Sequence, residues 1–208
     1  IAADVSKTAI SIAKNRIKLH GRVAKFINID EKVNKIHLDD SSVDLIHSSG
    51  VLHHCYDLHK ILNEFHRILK DDGKMQIMVY NFNSLWVHLY VAYYTQILSK
   101  KYSKLSLMEA FKRLTDGPYC PISKCYKPFE FVSLLSDHGF EGKLEGVSIS
   151  NRELSLINHR NKALNEKALS QQSKEFLQNL KFNSNGLPTF ENQIAGINAC
   201  YTFNKKRT

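Results

Sequence analysis

Small polar and acidic residues directly follow three apolar segments of the sequence, and their side chains suggest ligand binding. Asp4 and Asp30 each end such a segment, and Ser48, Ser49 and Gly50 follow a third. A carboxylate at the carboxyl end of a parallel strand can accept hydrogen bonds from both hydroxyls of a ribose. Glycine lets the backbone approach a bound group closely, because it carries no side chain. These positions predict a nucleotide-type ligand at the ends of parallel strands.

One βαβ unit supplies the elements that would position these groups. Apolar residues recur at helical spacing between charged ones in residues 57–69, which predicts a helix with one face buried on a sheet. A strand at 43–48 precedes this helix, an Asp72-Gly73 turn ends it, and a nearly continuous apolar strand follows at 75–80. Ligands of such sheets bind beyond the carboxyl ends of the strands, so residues 48–54 are the first place to look.

The rest of the sequence also alternates between predicted strands and helices, which favours an α/β fold with right-handed crossovers. The predicted elements are a strand at 1–4, a helix at 7–19 capped by Ser6, a strand at 23–29, helices at 85–99, 105–114 and 128–138, a strand at 140–149, two helices within 151–181 and a closing strand at 194–203. We expect these elements to form a single domain with helical insertions.

The residues of the βαβ unit resemble the class I S-adenosylmethionine-dependent methyltransferases, especially the small-molecule branch with a type 11 domain. The residues that carry the resemblance are Val43-Asp44, Val51-Leu52-His53-His54, Asp57 and Arg67-Ile68-Leu69-Lys70-Asp71-Asp72-Gly73, with further matches at 2–13, 121–140 and 195–201. The resemblance implies a Rossmann-like, doubly wound, mostly parallel sheet with an antiparallel C-terminal strand. It divides the domain into a cofactor-binding core at 1–81, a helical lid at 82–127, and a C-terminal sheet at 128–208 with a helical insertion at about 151–181.

The resemblance implies S-adenosylmethionine as the cofactor and assigns residues to it. The expected cofactor-binding residues are Asp4, Val5, Ile29, Asp30, Ser48, Ser49, Gly50 and His53. Asp4 would bind the ribose, Asp30 the adenine amino group and Ile29 the adenine face. For the two carboxylates, a helix N-cap and a solvated loop position are the structural alternatives.

The acceptor would lie under a roof of polar and aromatic residues. The expected substrate-binding residues are Asn81, Trp86, Tyr90, Tyr119 and Tyr126, with Phe82 beside them. An aromatic helix can instead belong to the core, and this alternative stays open. The strand at 43–48 lacks the Asn/Asp-Pro-Pro-Tyr-type motif that follows it in enzymes that methylate nucleic-acid amino groups. We therefore expect a small-molecule acceptor with a hydroxyl, carboxyl, amine or carbon nucleophile.

Methyl transfer from an activated sulfonium needs mainly positioning, and a general base only when the acceptor must lose a proton. The catalytic residue is therefore left unassigned, with His53 as the candidate base and His54 as a packing or helix-entry residue. His47, His59 and His66 add to a histidine-rich stretch, but no regular ligand spacing emerges and we expect no metal.

A glycine-rich loop is missing from the sequence, although a methyltransferase of this class begins with a strand and such a loop. The nine glycines form neither G-x-G-x-G nor a phosphate-binding loop, and the chain begins with Ile1 inside a predicted strand. We expect an N-terminally truncated fragment without its first strand, glycine loop and helix, and with weak cofactor binding. A processed terminus is the alternative. A noncatalytic methyltransferase-like module and an NAD(P)-dependent oxidoreductase remain alternative functions.

Composition indicates a globular protein rather than a membrane-spanning or nucleic-acid-binding one. The 208 residues are 43% hydrophobic and 24% charged, with no apolar run of the length that a membrane span needs. The formal net charge of +9 is spread over many segments, which favours solvated faces over a nucleic-acid groove. Four cysteines without C-x-x-C spacing suggest reduced thiols and a cytoplasmic location. The oligomeric state is left open.

Overall fold

The computed structural model describes residues 1–30 and 35–206. The strands of the described residues are β1 (Ala2–Asp4), β2 (Phe26–Asn28), β3 (Val43–Ser49), β4 (Leu69–Tyr80), β5 (Phe140–Ser148), β6 (Lys181–Phe182), β7 (Pro188–Phe190), β8 (Gln193–Ile194) and β9 (Asn198–Lys205). The α-helices are α1 (Lys7–Leu19), α2 (Leu58–Ile68), α3 (Leu107–Thr115), α4 (Pro128–Ser136), α5 (Asn151–Ser155), α6 (Arg160–Leu164) and α7 (Gln171–Gln178). A π-helix spans Trp86–Leu98, and short 3₁₀ helices span Leu52–His54 and Ile157–His159.

The main sheet has the strand order β3-β4-β9-β5. β3 and β4 are parallel, whereas β9 is antiparallel to both of its neighbours, β4 and β5. This arrangement confirms the α/β fold class and the antiparallel C-terminal strand. Within the described residues, β1 and β2 form a separate parallel pair, and β6, β7 and β8 form a third sheet. The sheet predicted to be continuous is therefore hydrogen-bonded in separate parts.

Helix α1 connects β1 to β2, the two strands of the small parallel pair. Ser6 caps α1 as predicted, because its hydroxyl accepts a hydrogen bond from the Ala9 amide at 3.2 Å. The register pairs Ala2 with Phe26 and Asp4 with Asn28. The strand predicted at 23–29 is shorter than expected, since Val23 is almost fully exposed and has no strand partner in the described register.

The strand β4 begins six residues earlier than the sequence predicted. It starts at Leu69, which is fully buried and pairs with Val43, directly after α2 ends. An irregularity in pairing follows, and Gly73 lies within it. A Cβ atom on Gly73 would come within 2.8 Å of the Leu69 side chain, so a larger residue would not fit without movement. The predicted Asp72-Gly73 turn is thus an irregular part of the strand.

Arg67 joins helix α2 to the segment that follows β2. Its guanidinium donates hydrogen bonds to the carbonyl oxygens of Ile36 and Leu38 and to the carboxylates of Glu64 and Asp40, at 2.6–2.9 Å. Hydrogen bonding from Arg67 holds the pKa of the Glu64 carboxyl below its usual range. Only a planar guanidinium can donate all of these hydrogen bonds at once, so position 67 requires arginine and not simply a positive charge.

Three buried clusters form the core. The first includes Leu62, Met75, Phe131 and Phe203 and lies between α2, α4 and the main sheet. The second packs the π-helix against α6 and α7, and the third packs its other side against α3. The π-helix is therefore a core element, which was the open alternative to a lid. The domain boundaries at 81, 127 and about 151–181 remain predictions.

No described helix combines the length and apolar character that crossing a bilayer requires.

Candidate functional site

The carboxylate predicted to bind ribose lies at the carboxyl end of β1. The Asp4 side chain is half-buried, and its Oδ1 accepts a hydrogen bond from the Ser6 amide at 2.7 Å. This contact holds the carboxylate against the start of α1, where the helix N-terminus favours negative charge. Ser6 provides the side-chain cap, so Asp4 is not needed for that role. Val5, which follows, is 45% exposed at the same edge.

The end of β2 lies next to Asp4, and the predicted residues Ile29 and Asp30 follow it. The Ile29 amide donates to the Asp4 carbonyl at 2.9 Å, and the Asn28 side chain donates to the carbonyls of Asp4 and Val5. Ile29 is partly buried and packs on the main core, while Asp30 is exposed. Asn28 is a positioning residue that the sequence did not reveal, because an amide at a strand end has no distinctive spacing.

Ser48, Ser49 and Gly50 lie at the carboxyl end of β3. Ser48 is buried opposite Ile77, and Ser49 is exposed. Gly50 has a φ of +75°, a backbone conformation that favours glycine, and its amide donates to the Met78 carbonyl at 3.1 Å. The chain therefore turns sharply at this point, as predicted. Because no pairing in the described residues joins β1 to β3, these three residues belong to a different sheet from Asp4.

His53 is completely buried and stacks on the Tyr80 ring, with centroids 3.9 Å apart. Burial, followed by the proximity of His54, lowers its pKa to about 4. Neither ring nitrogen has a hydrogen-bond partner within the described part of the chain. The candidate general base is therefore a neutral imidazole that is sealed from solvent, and this position is poorly suited to accepting a proton from an acceptor.

His54 lies beside it and is in a very different environment. Its side chain is 34% exposed, its Nδ1 is 2.8 Å from the Ile122 carbonyl oxygen, and its Nε2 is 3.7 Å from Asp116 Oδ1. The Tyr80 hydroxyl donates to the same Asp116 oxygen at 2.8 Å. Burial, together with this hydrogen bond, raises the pKa of Tyr80 well above its usual range. Tyr80, His54 and Asp116 thus form a polar group at the carboxyl edge of β3 and β4.

Asn81 and Tyr126, two predicted acceptor-binding residues, lie side by side in an isolated parallel bridge. Both amide hydrogens of Asn81 are used by the carbonyls of Asn83 and Gly196, and the side chain is nearly fully buried. The Asn81 amide therefore builds the turn after β4, and its predicted substrate role stays a prediction. Tyr126 packs on the main core, and burial raises its pKa to about 12.

The other three predicted acceptor residues do not converge. The Trp86 indole donates to Thr115 Oγ1 at 2.8 Å and lies next to Tyr90, whose ring carries the Arg152 guanidinium 4.9 Å from its centroid. Tyr119 is 95% exposed on the loop that follows Asp116. The expected aromatic roof is therefore split between a core helix and a solvent-exposed loop.

The polar residues of this region that sequence reasoning missed are Tyr80, Asp116 and Cys120. Tyr80 looked like the last residue of an apolar strand, and the other two belong to a predicted loop. The only signal was the Asp116-Gly117-Pro118 turn, which says nothing about contacts some 60 residues away in sequence.

A groove of about 550 Å³ lies elsewhere, between α4, β5 and the β7–β8 hairpin, and Asn81 is the only predicted site residue that lines it.

Comparison with known proteins supports the methyltransferase assignment. Residues 1–77 match the family model described as a methyltransferase domain, which spans β1, β2, β3 and most of β4. This match over the first 77 residues agrees with the sequence resemblance to class I methyltransferases of type 11. No curated protein sequence matches the chain.

Solved structures share the fold at low sequence identity. The YcgJ protein from Bacillus subtilis superposes with a TM-score of 0.58 and 16% identity, over 99% of this chain and 82% of its own. A SAM-dependent methyltransferase from Thermotoga maritima, described as a possible histamine N-methyltransferase, gives a TM-score of 0.56 and 17% identity over 99% and 73%. The cyclase SpnF superposes with a TM-score of 0.54 and 15% identity, over 100% of this chain and 67% of its own. At these identities the likeness shows the fold alone, and a fold hosts several reactions.

The residues present fit an adenosine-containing cofactor at the strand ends. A half-buried carboxylate held at a helix N-terminus, an adjacent isoleucine and a turn with positive φ can contact such a ligand, but this sequence lacks the glycine-rich loop expected of this class. They come from two parts of the molecule that are not joined by strand pairing in the described residues.

Proposed function

We propose that this protein binds S-adenosylmethionine at the carboxyl ends of β1, β2 and β3 and transfers its methyl group to a small-molecule acceptor. The observation that carries the proposal is the placement of Asp4. Its carboxylate is fixed by the Ser6 amide, and its backbone carbonyl accepts a hydrogen bond from Ile29, in the part of the chain that matches the methyltransferase family. A ribose diol is the chemical group that such a carboxylate binds.

The cofactor would be held by residues that the strands already position. Asp4 accepts hydrogen bonds from the ribose hydroxyls, Ile29 and Val5 cover the adenine, and Asp30 lies within reach of its edge. Ser48, Ser49 and Gly50 lie at the methionine end, where the positive φ of Gly50 turns the backbone away from the sheet. When bound, the cofactor supplies an electrophilic methyl group on a sulfonium.

The acceptor would lie at the carboxyl edge of β3 and β4, beside Tyr80, His54 and Asp116. The partial exposure of His54 and the nearby exposed Tyr119 leave this edge open to a small molecule. Buried His53 and Tyr126 form its apolar wall. The chain's contribution to rate is then orientation and exclusion of water, which can lower a barrier by several kcal/mol without a dedicated acid or base, roughly 7–11 in well-aligned cases.

The test is calorimetric binding of S-adenosylhomocysteine and, separately, of NAD to the wild type, Asp4→Asn and Asp4→Ala. Asn at position 4 can still accept a hydrogen bond from the Ser6 amide but lacks the charge, so it separates ligand binding from local structure. We expect S-adenosylhomocysteine to bind the wild type and to lose about tenfold or more in affinity in Asp4→Asn, which corresponds to one charge-assisted hydrogen bond.

A matched control is Ser6→Ala, which removes the helix cap but leaves the carboxylate. It should lower stability while leaving affinity nearly unchanged once the protein is folded. Binding of NAD alone would move the protein to the nicotinamide-dependent oxidoreductases. Binding of neither ligand would contradict the proposal and favour a noncatalytic methyltransferase-like module.

A further inference from the structure

Three side chains with different metal-binding chemistry lie together at the carboxyl edge of β3 and β4. They are His54, Asp116 and Cys120, and one ligand atom from each lies within 4.8 Å of the others. His54 Nε2 is 3.7 Å from Asp116 Oδ1, and Cys120 Sγ is 3.9 Å from His54 Nδ1. Cys120 is a free, partly buried thiol. No sequence motif links the three, because 62 residues separate His54 from Asp116.

The backbone of the loop after α3 brings two of these ligands together. Gly117 has a φ of +98°, and the Cys120 amide donates to the Gly117 carbonyl at 3.2 Å. This turn folds the chain back, so that Cys120 lies on the same side as Asp116. Nothing lies within 4 Å of a Cβ atom placed on Gly117, so the glycine serves the backbone conformation and not close packing.

The hydrogen bonds around the cluster orient His54 and Asp116 for a ligand at Nε2, whereas the Cys120 thiol donates to the Ile122 carbonyl at 3.3 Å. His54 Nδ1 is 2.8 Å from the Ile122 carbonyl, which can only accept, so the proton lies on Nδ1 and the lone pair on Nε2. Histidines that bind metals usually donate their other ring nitrogen to a carbonyl or carboxylate in this way. The Tyr80 hydroxyl orients Asp116, whose buried Oδ2 has no partner in the described ranges 1–30 and 35–206.

We propose that His54, Asp116 and Cys120 bind one divalent transition-metal ion of the Zn²⁺ type. Zinc binds nitrogen and oxygen at roughly 2.0–2.2 Å and sulfur at about 2.3 Å, so the ligands of one ion lie about 3–4 Å apart. The observed 3.7 Å between His54 Nε2 and Asp116 Oδ1 agrees with this spacing. Cys120 Sγ lies 3.9 Å from Nδ1, so its side chain must leave the Ile122 carbonyl and rotate toward Nε2 to complete the set.

Charge balance and coordination number favour the same class of ion. On binding, the Cys120 thiol releases its proton to solvent, and the thiolate and carboxylate together neutralise the two positive charges. Mixed nitrogen, oxygen and sulfur donors suit zinc better than magnesium or calcium, which prefer oxygen. Three protein ligands leave a fourth position for water or another small ligand. This site shares His54 and Asp116 with the edge proposed for the acceptor, but metal binding is measured without methyl transfer and can fail or succeed independently of it.

The probe is Co²⁺, which replaces Zn²⁺ and reports its ligands by absorption. Titration of the full chain with its thiols kept reduced should show thiolate-to-cobalt charge transfer and the visible bands of a four-coordinate ion, saturating at one equivalent. Zn²⁺ should then displace the colour. Cys120→Ser should abolish the charge-transfer band, and His54→Gln should weaken binding at least tenfold.

Two conservative variants give controls for misfolding. Cys200→Ser removes an exposed thiol on β9 and should leave the titration unchanged. Tyr80→Phe keeps the ring that stacks on His53 but removes the hydrogen bond to Asp116, so affinity should fall by about 10–100-fold. Co²⁺ binding without a charge-transfer band, a band that persists in Cys120→Ser, or no binding to folded wild type would each overturn the proposal.

Discussion

The N-terminal unit of β1, α1 and β2 and the four-stranded main sheet differ sharply in how they are held. In the first 28 residues only Ile10 and Ile27 are buried hydrophobic residues, and β1 and β2 pair only with each other in the described chain. In the main sheet, β4 alone buries Leu69, Met75, Ile77 and Val79. The family match at residues 1–77 covers the lightly packed unit and also β3, α2 and most of β4, whereas most of the stability must come from the main sheet and the helices on it. The matched residues therefore include buried residues of the core as well as exposed residues at the strand ends.

Truncation of a core aromatic residue should have the largest effect and should separate the two regions. Phe131 is fully buried between α4 and the sheet, so Phe131→Ala should lower the free energy of unfolding by about 3–5 kcal/mol, measured by urea denaturation. The matched change Phe26→Ala in β2 should lower it by less than about 1 kcal/mol and instead increase amide exchange in β1 and β2. Equal losses in the two variants would show that both regions unfold as one unit.

Acid should destabilise the C-terminal region through a buried histidine. His88 lies in the π-helix with Nδ1 3.0 Å from Ser173 Oγ, and burial lowers its pKa to about 3. The folded pKa lies below the unfolded value, so the unfolded state binds more protons between about pH 6.5 and 3 and stability falls as the pH falls through that range. We expect a loss of about 2 kcal/mol from pH 7 to pH 5.

The variant His88→Phe keeps ring stacking on Phe176 and should remove about half of this pH dependence, because buried His53 with its pKa of about 4 contributes in the same direction. The control His20→Phe changes an exposed imidazole and should leave the slope as in the wild type. Urea denaturation at several pH values measures both. An unchanged slope in His88→Phe would assign the acid sensitivity to other groups.

The smallest expected effect tests the contact between α2 and residues 36–40, which follow β2 in the chain. Arg67→Met removes the hydrogen bonds to Ile36, Leu38, Asp40 and Glu64 but keeps the aliphatic stem. It should cost about 1–2 kcal/mol, because several of these bonds are partly exposed. Hydrogen exchange should rise mainly at residues 36–40 and in β1 and β2. Arg113→Met, which breaks only an exposed pair with Glu109, should change little.

The elements could be predicted well where sequence periodicity determines them. The spacing of Leu58, Ile61, Leu62 and Phe65 placed α2 correctly, and Ser6 marked the start of α1 to the residue. The start of β4 was misplaced because Asp71-Asp72-Gly73 has the composition of a turn, while its position was decided by pairing of Leu69 with Val43. Long-range pairing has no local signal in a single sequence.

The candidate site was predictable only in part, for a related reason. Residues at strand ends, such as Asp4 and Gly50, follow from the order of elements and occupy the expected positions. Their roles in binding remain predictions. The contact of His54 with Asp116 depends on how a loop folds over the sheet edge, which no spacing in the sequence encodes. His53 is likewise buried because it stacks on Tyr80. The sequence His53-His54 does not indicate which of the two histidines is buried.

The division of the strands into separate sheets also affects how the protein behaves at high concentration. β3 has β4 on one side and, among residues 1–30 and 35–206, no strand on the other. A strand edge of this kind offers its backbone groups to a further chain, and half-exposed Leu45 adds an apolar side chain to that edge. The free edge of β3 can therefore accept a strand from a second molecule, and a lysine in place of Leu45 would oppose that pairing.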